Sequence, residues 1–205
     1  MGVPRFEPFP GIRYAPSAEL AEVTAPPYDV INAAQRAELV ARHPHNVVTI
    51  DLPVDGEDPY AEAAATFARW QAEGVLAADA PSFYVYRMDH RDEQGRARHT
   101  TGVIGALELS RPGEGGILPH EHTTPKAKSD RLNLLRSTHA NLSPVWGLSP
   151  AVGLSALIET GEEPAASWTD EDGVTHSLWV VQDPALIEKI SATVSSAPVV
   201  IADVH

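Results

Sequence analysis

The chain contains no cysteine. That excludes disulfides, thiolate metal sites and thiol nucleophiles, and it removes cysteine usage as a guide to compartment. Cations are scarce as well, with 15 Lys and Arg against 28 Asp and Glu and a net charge of −13 over 205 residues. A field of that sign repels phosphate backbones and anionic lipid, so neither nucleic acid nor a membrane is an expected partner. No apolar run approaches the ~18 residues of a membrane span. Met1-Gly2-Val3-Pro4-Arg5-Phe6 lacks the basic-then-apolar plan of a signal peptide. Cytoplasm is therefore the expected location. There is no Walker-type glycine loop with a following Lys-Ser or Lys-Thr, so any nucleotide would have to be held by another arrangement. Internal repeats, low-complexity runs and linkers are also missing, and residues 1–205 are read as a single α+β domain.

What is present is a core-forming composition, 43% hydrophobic, cut by turn signals. Six of the eighteen prolines fall in the first thirty residues, which read as extended, tightly turning backbone. Asn32 is placed to cap a helix over Ala33 to His43, and Asn46 to Leu52, with Val47, Val48 and Ile50, reads as a strand. Asp58 then caps a helix from Pro59 to about Glu73, with an apolar face of Tyr60, Ala63, Ala64, Phe67 and Trp70, ended by Gly74. Strands over Ser82 to Asp89 and Arg98 to Leu109 flank a turn at Glu93-Gln94-Gly95. A strand near Pro144 to Leu148, a short helix near Leu154 to Glu159, and a second hairpin around Asp172-Gly173 follow. Asp183-Pro184 opens a last helix to about Val194, and Val199 to Ala202 forms a final strand. The expected fold is α+β, a mixed or antiparallel sheet with hairpins and about five helices, rather than strict βα alternation.

One stretch concentrates chemistry. Leu118 to Arg131 holds three of the chain's 15 cations and two of its nine histidines within fourteen positions. Thr124-Pro125 reads as an N-cap and first helical position. The free N–H groups of that helix end, the Thr123 and Thr124 hydroxyls, Lys126, Lys128 and Arg131 suit a phosphate or carboxylate, with Glu121 as a base. Lys126, Asp130, Asn133 and Ser137 share one helical stripe. The same spacing also fits a capped surface helix whose Lys126 and Asp130 make a solvated pair. His120-x-His122 lacks the spacing of a helical zinc motif and has no Cys partner, so no metal ligands are assigned. Tyr28-Asp29 after two prolines can line a pocket or turn the chain, and Asn46 can serve a site or bond loop backbone.

Several separated segments then agree with one family. Ala25-Pro26-Pro27-Tyr28-Asp29-Val30-Ile31; His45-Asn46-Val47-Val48 with Asp51-Leu52-Pro53; Leu118-Pro119-His120-Glu121-His122-Thr123 with Lys126, Asp130 and Arg131; and Ala140-Asn141-Leu142-Ser143-Pro144 resemble domain-of-unknown-function family 1015 over essentially the whole chain. The resemblance implies relatives roughly twice this length, so that residues 1–205 correspond to their N-terminal half. It also implies an Ala-Asp-Gly-His-His-Arg-Tyr motif that Val199-Val200-Ile201-Ala202-Asp203 approaches. Val204 stands where the glycine would be, followed by His205.

A similar Asp-Gly-His-His-Arg motif occurs in free serine kinases of the ParB/sulfiredoxin-like superfamily. By that analogy the expected activity is nucleotide-dependent phosphorylation of a small hydroxy amino acid, using Mg2+ with ATP or ADP and binding a small anionic or phosphorylated molecule. Glu121, His120 and Asp203 are then the catalytic candidates. Thr123, Lys126, Asp130, Arg131, Tyr28, Asp29, Asn46 and His205 are the substrate- or phosphate-binding ones. With the motif incomplete at Val204, the chain alone is expected to have no appreciable kinase activity. The alternative is a noncatalytic anion-binding or protein-interaction domain. Substrate, nucleotide and oligomeric state are not legible.

Overall fold

A computed structural model describes residues 3–111, 114–119, 125–161 and 163–203, with 125–128 and 203 described by backbone alone. The helices are α1 (Leu20–Val23), α2 (Ala33–Arg42), α3 (Val48–Asp51), α4 (Pro59–Ala72), α5 (Pro125–Thr138), α6 (Leu154–Leu157) and α7 (Pro184–Val194). The strands are β1 (Phe6–Glu7), β2 (Ile12–Tyr14), β3 (Leu76–Ala78), β4 (Phe83–Arg91), β5 (Ala97–Ile104), β6 (Ala106–Leu107), β7 (Ile117–Leu118), β8 (Trp146–Leu148), β9 (Ala166–Thr169), β10 (Thr175–Val181) and β11 (Val199–Asp203). The fold is α+β, as expected. All five expected helices are present, and the two additional ones, α1 and α3, are single turns of four residues. Among the described residues no helix is long and apolar enough to cross a membrane.

The chain divides into two compact units, one of residues 1–12, 78–120 and 146–202, the other of residues 13–77, 121–145 and 203–205. The first is built on an antiparallel sheet of order β5-β4-β10-β9, with the three-stranded β7-β11-β8 sheet and the β1-β6 pair beside it. Both expected hairpins are there, one joining β4 to β5 and the other β9 to β10. The unit's core gathers Phe6, Phe83, Val85, Ile158, Ile190, Val194 and Val199. Phe6 and Phe83 stack with ring centres 4.9 Å apart. Helix α7 starts as the sequence dictates: the Asp183 carboxylate accepts from the Ala185 N–H at 3.1 Å and Pro184 takes the first turn.

The strand expected to run from Arg98 to Leu109 is interrupted. β5 ends at Ile104, and Ala106–Leu107 turns away to pair with β1. The break falls at Gly105, where a Cβ would collide with the Phe6 and Phe83 rings. Close ring approach, which propensity does not register, sets the strand end.

The second unit is mainly helical. Asn32 and Gln35 form the reciprocal capping box of α2. Asp58 caps α4 through the Ala61 N–H at 3.1 Å. Past its C-terminus Gly74 adopts φ +74°, a left-handed conformation glycine takes at little cost. Trp70, 1% exposed, sits among Ile50, Ala63, Phe67, Leu76 and Leu134. The Trp70 and His45 rings meet edge to face with centres 5.5 Å apart.

Here the strand expected over Asn46 to Leu52 is corrected, because Val48–Asp51 is a helical turn. Val47, Val48, Thr49 and Ile50 favour a strand by their branching. The Asn46 side chain overrides them by accepting from the Val48 N–H at 3.1 Å, a local bond that starts a helix.

Candidate functional site

In the second unit Arg131, on the second turn of α5, is the centre of a polar cluster. Its Nη1 donates to Asp51 Oδ1 at 2.9 Å and its Nη2 to the Asp51 carbonyl at 2.8 Å. Its Nε and Nη2 both donate to Asp130 Oδ2, at 2.9 and 2.7 Å. The guanidinium carbon lies 3.7 Å from the centre of the Tyr28 ring. Arg131 and Asp51 side chains are only 18% and 15% exposed, whereas Asp130 is 37% exposed. Arginine suits this place because its planar fork can bond two carboxylates while its face rests on an aromatic ring.

The carboxylates are themselves held. The Tyr60 hydroxyl donates to Asp130 Oδ1 at 2.9 Å and the Ser143 hydroxyl to Asp51 Oδ1 at 3.0 Å. The hydrogen bond to Asp130, and then burial, raise the Tyr60 pKa. Burial is the main cause of the raised pKa of Tyr28, opposed by the Arg131 charge and reinforced by Asp29, Asp130 and Asp51. Both phenols stay protonated at neutral pH, so each can donate but neither acts as a ready base.

Of the candidates named from sequence, Tyr28, Asp130 and Arg131 thus come together. Asp29, next to Tyr28 in a single 3₁₀ turn, is exposed. Asn46 is fully buried with all its side-chain work directed at backbone. Its Nδ2 donates to the Glu22 and Thr24 carbonyls at 2.8 and 3.0 Å, and its Oδ1 accepts from Val48. His120, Glu121, Thr123 and His205 lie outside the described residues, as do the side chains of Lys126 and Asp203. The backbone of Pro125 begins α5, the first helical position expected of it, while its expected cap Thr124 lies outside the described residues; Asp203 ends β11.

Helix α5 lays its stripe otherwise than the bare spacing implied. Leu134 and Thr138 are its buried positions, Asp130, Arg131 and Ser137 flank them half-buried, and Leu132 and Leu135 are exposed. Sequence reasoning gave no role to three members of the cluster. Asp51 and Ser143 stood within quoted motifs, and Tyr60 was read only as part of the apolar face of α4. The signal available for Tyr60 was its place in the first helical turn, where its hydroxyl end reaches the rim of the core.

Chemically the cluster is a guanidinium engaged by two carboxylates and a backbone carbonyl, with an aromatic floor. Asp51 and Asp130 are committed to Arg131, and among the described residues no three His, Asp or Glu side chains are grouped to hold a metal ion. No curated protein and no solved structure matches the chain. A family model matches residues 6–205, nearly the full length, under the description "Protein of unknown function (DUF1015)". Four segments that carried the resemblance supply Tyr28, Asp51, Asp130 with Arg131, and Ser143 to the cluster just described, and the chain belongs to the DUF1015 family.

Proposed function

We propose that the unit holding Tyr28, Asp51, Asp130 and Arg131 contributes part of a small-molecule phosphotransferase site, acting on a hydroxy amino acid with a nucleotide as phosphoryl donor. The observation carrying this reading is the meeting of four separated motif segments at Arg131. Residues that distant in sequence converge where a protein builds a site or braces one. In this reading Arg131 and Tyr28 are positioning residues that brace α5, and Glu121, His120, Thr123 and Lys126 are the groups that act on substrate. Phosphoryl transfer asks for such positioning above all, with a carboxylate or imidazole to take the hydroxyl proton. The relation to free serine kinases rests on analogy of the motif approached at Asp203.

A second reading is a noncatalytic anion-binding or interaction domain, and its interaction form is favoured by one fact: most donors of Arg131 are already engaged by Asp51 and Asp130, so this arginine offers little to an incoming phosphate. The test is phosphoryl transfer from ATP or ADP to serine and related hydroxy amino acids, in this chain and in a longer family member, each against its Glu121→Gln counterpart. Serine phosphorylation lost in the variant with an unchanged melting temperature supports the first reading. Absence of turnover in both proteins, each folded and with the amide resonances around Arg131 unmoved by phosphoserine, supports the second in its interaction form.

A further inference from the structure

The four-stranded sheet of the first unit has two unlike faces. Phe83, Val85, Trp179 and Val181 point into the core with α7. Side chains alternate along a strand, so the opposite face carries Tyr86 and Met88 of β4, His176 of β10, Trp168 of β9 and Gly102 of β5. Trp168 lies directly across from His176 and Gly102 across from Tyr86.

On this face three side chains form a chain of hydrogen bonds. The Tyr86 hydroxyl is 2.5 Å from His176 Nδ1, and His176 Nε2 is 2.9 Å from Asp170 Oδ2. A carboxylate only accepts, so the neutral ring carries its proton on Nε2, and Nδ1 accepts from the phenol. The Trp168 ring stacks on the imidazole at 4.9 Å and 16°, fixing its plane. Asp170 Oδ1 accepts from the Asp172 and Val174 N–H groups at 3.0 and 2.9 Å, which fixes the carboxylate. A potential nucleophile, a base in contact with it, and a third group orienting the base is the constellation of an activated hydroxyl. Beside it the chain leaves a gap: Gly102 is exposed, and a Cβ there would meet nothing within 4 Å. An exposed glycine on an edge strand leaves backbone that another molecule can approach closely.

We propose that Tyr86 is a base-assisted acyl acceptor, activated by His176 and Asp170, which takes an acyl group from a neutral activated ester entering beside Gly102. The site shares no residue with the Arg131 cluster. Burial, and then the charge of Asp170, raise the phenol's pKa to about 12, so it reacts only as its proton leaves. Tyr86 Oη attacks the ester carbonyl carbon while its proton passes to His176 Nδ1, and the imidazolium keeps its Nε2–H on Asp170. The carbonyl–oxygen bond to the leaving alcohol then breaks, and that alcohol takes the proton from Nδ1, leaving an aryl ester on Tyr86. An acyl donor is favoured over a phosphoryl donor because Asp170, bonded to His176, and its chain neighbours Glu171 and Asp172 are acidic and repel anions. β4 pairs on both sides, with β5 and β10, so its backbone offers no free donor pair for an oxyanion.

The experiment is acetylation of the intact chain by p-nitrophenyl acetate, followed by peptide mass spectrometry, comparing Tyr86 with Tyr28 and Tyr60. Tyr86 should label at least about tenfold faster than either, and His176→Gln should slow it by roughly a hundredfold, the usual worth of a general base. Labelling of Tyr86 no faster than Tyr28, or a rate unchanged in a folded His176→Gln, overturns the proposal. The comparison among tyrosines within the unaltered protein decides the matter even where the variant does not fold.

Discussion

The guanidinium of Arg131 rests 3.7 Å above the Tyr28 ring while its edge bonds Asp51 and Asp130. Face and edge are thus used at once, by residues up to 102 positions apart in the chain. An arginine held this way is a clamp between the segment before α2, the end of α3 and the start of α5.

Arg131→Ala is expected to destabilise the protein by roughly 2 to 4 kcal/mol, because it leaves Asp51 a largely buried charge without its partner. Arg131→Lys should recover less than half of that, since an ammonium neither bonds two carboxylates in one plane nor stacks as a plane. Urea unfolding of the three proteins measures this. Wild-type stability in Arg131→Ala would show that the clamp carries no weight.

Trp70→Ala should cost about 3 to 5 kcal/mol, the range for removing a large aromatic side chain from a packed core. Its indole is 1% exposed among Ile50, Phe67 and Leu134. Thermal and denaturant unfolding report the loss, and a value below about 1 kcal/mol would mean the second unit relaxes around the hole.

Gly105→Ala is expected to destabilise by about 1 to 3 kcal/mol through overpacking, since the added methyl meets the stacked Phe6 and Phe83 rings. Phe6→Leu in the same chain should return part of the loss by making room. Stabilities that simply add would place the strain elsewhere.

Acid should reveal the Asp170 hydrogen bonds. Burial acts to raise this carboxyl's pKa, but bonds from His176, Val174 and Asp172 outweigh it and hold the value below the ordinary 3.8. Because the folded value is depressed, the stabilisation is present above pH 3.8 and is lost as pH falls from there through the folded value. Asp170→Asn should therefore narrow its stability gap to wild type below that pH. A gap constant from neutral to strongly acid pH would remove Asp170 as the source.

Much of this was readable because capping is local. Asn32, Asp58 and Asp183 announce α2, α4 and α7 within a residue or two, and each does so by a side-chain bond to a nearby N–H. The turns at Gly95 and Gly173 give both hairpins for the same reason. β1, β2, β3 and β7 escape notice as strands because two or three residues carry no period, and β6 is read only as the tail of a longer strand. α3 misleads because four branched or apolar residues outvote one asparagine in any propensity sum. At the site, motif order pointed to Tyr28, Asp130 and Arg131, but their stacking and pairing join residues far apart in sequence. Asp51 became visible as their partner only once α3 and α5 were placed.

The buried Asn46 amide has a consequence for motion. One side chain fastens the Glu22 and Thr24 carbonyls to the first turn of α3, and the Val47 N–H adds a bond to the Val23 carbonyl. Neither segment can detach without breaking the same small set of bonds, so residues 22–24 and 46–51 should open together rather than fray separately. In native-state hydrogen exchange the amides of Val47 and Val48 should share one opening free energy, and Asn46→Ala should lower both by the same amount. The asparagine would then act as a hinge pin, setting how often Asp51 is withdrawn from Arg131 without touching either.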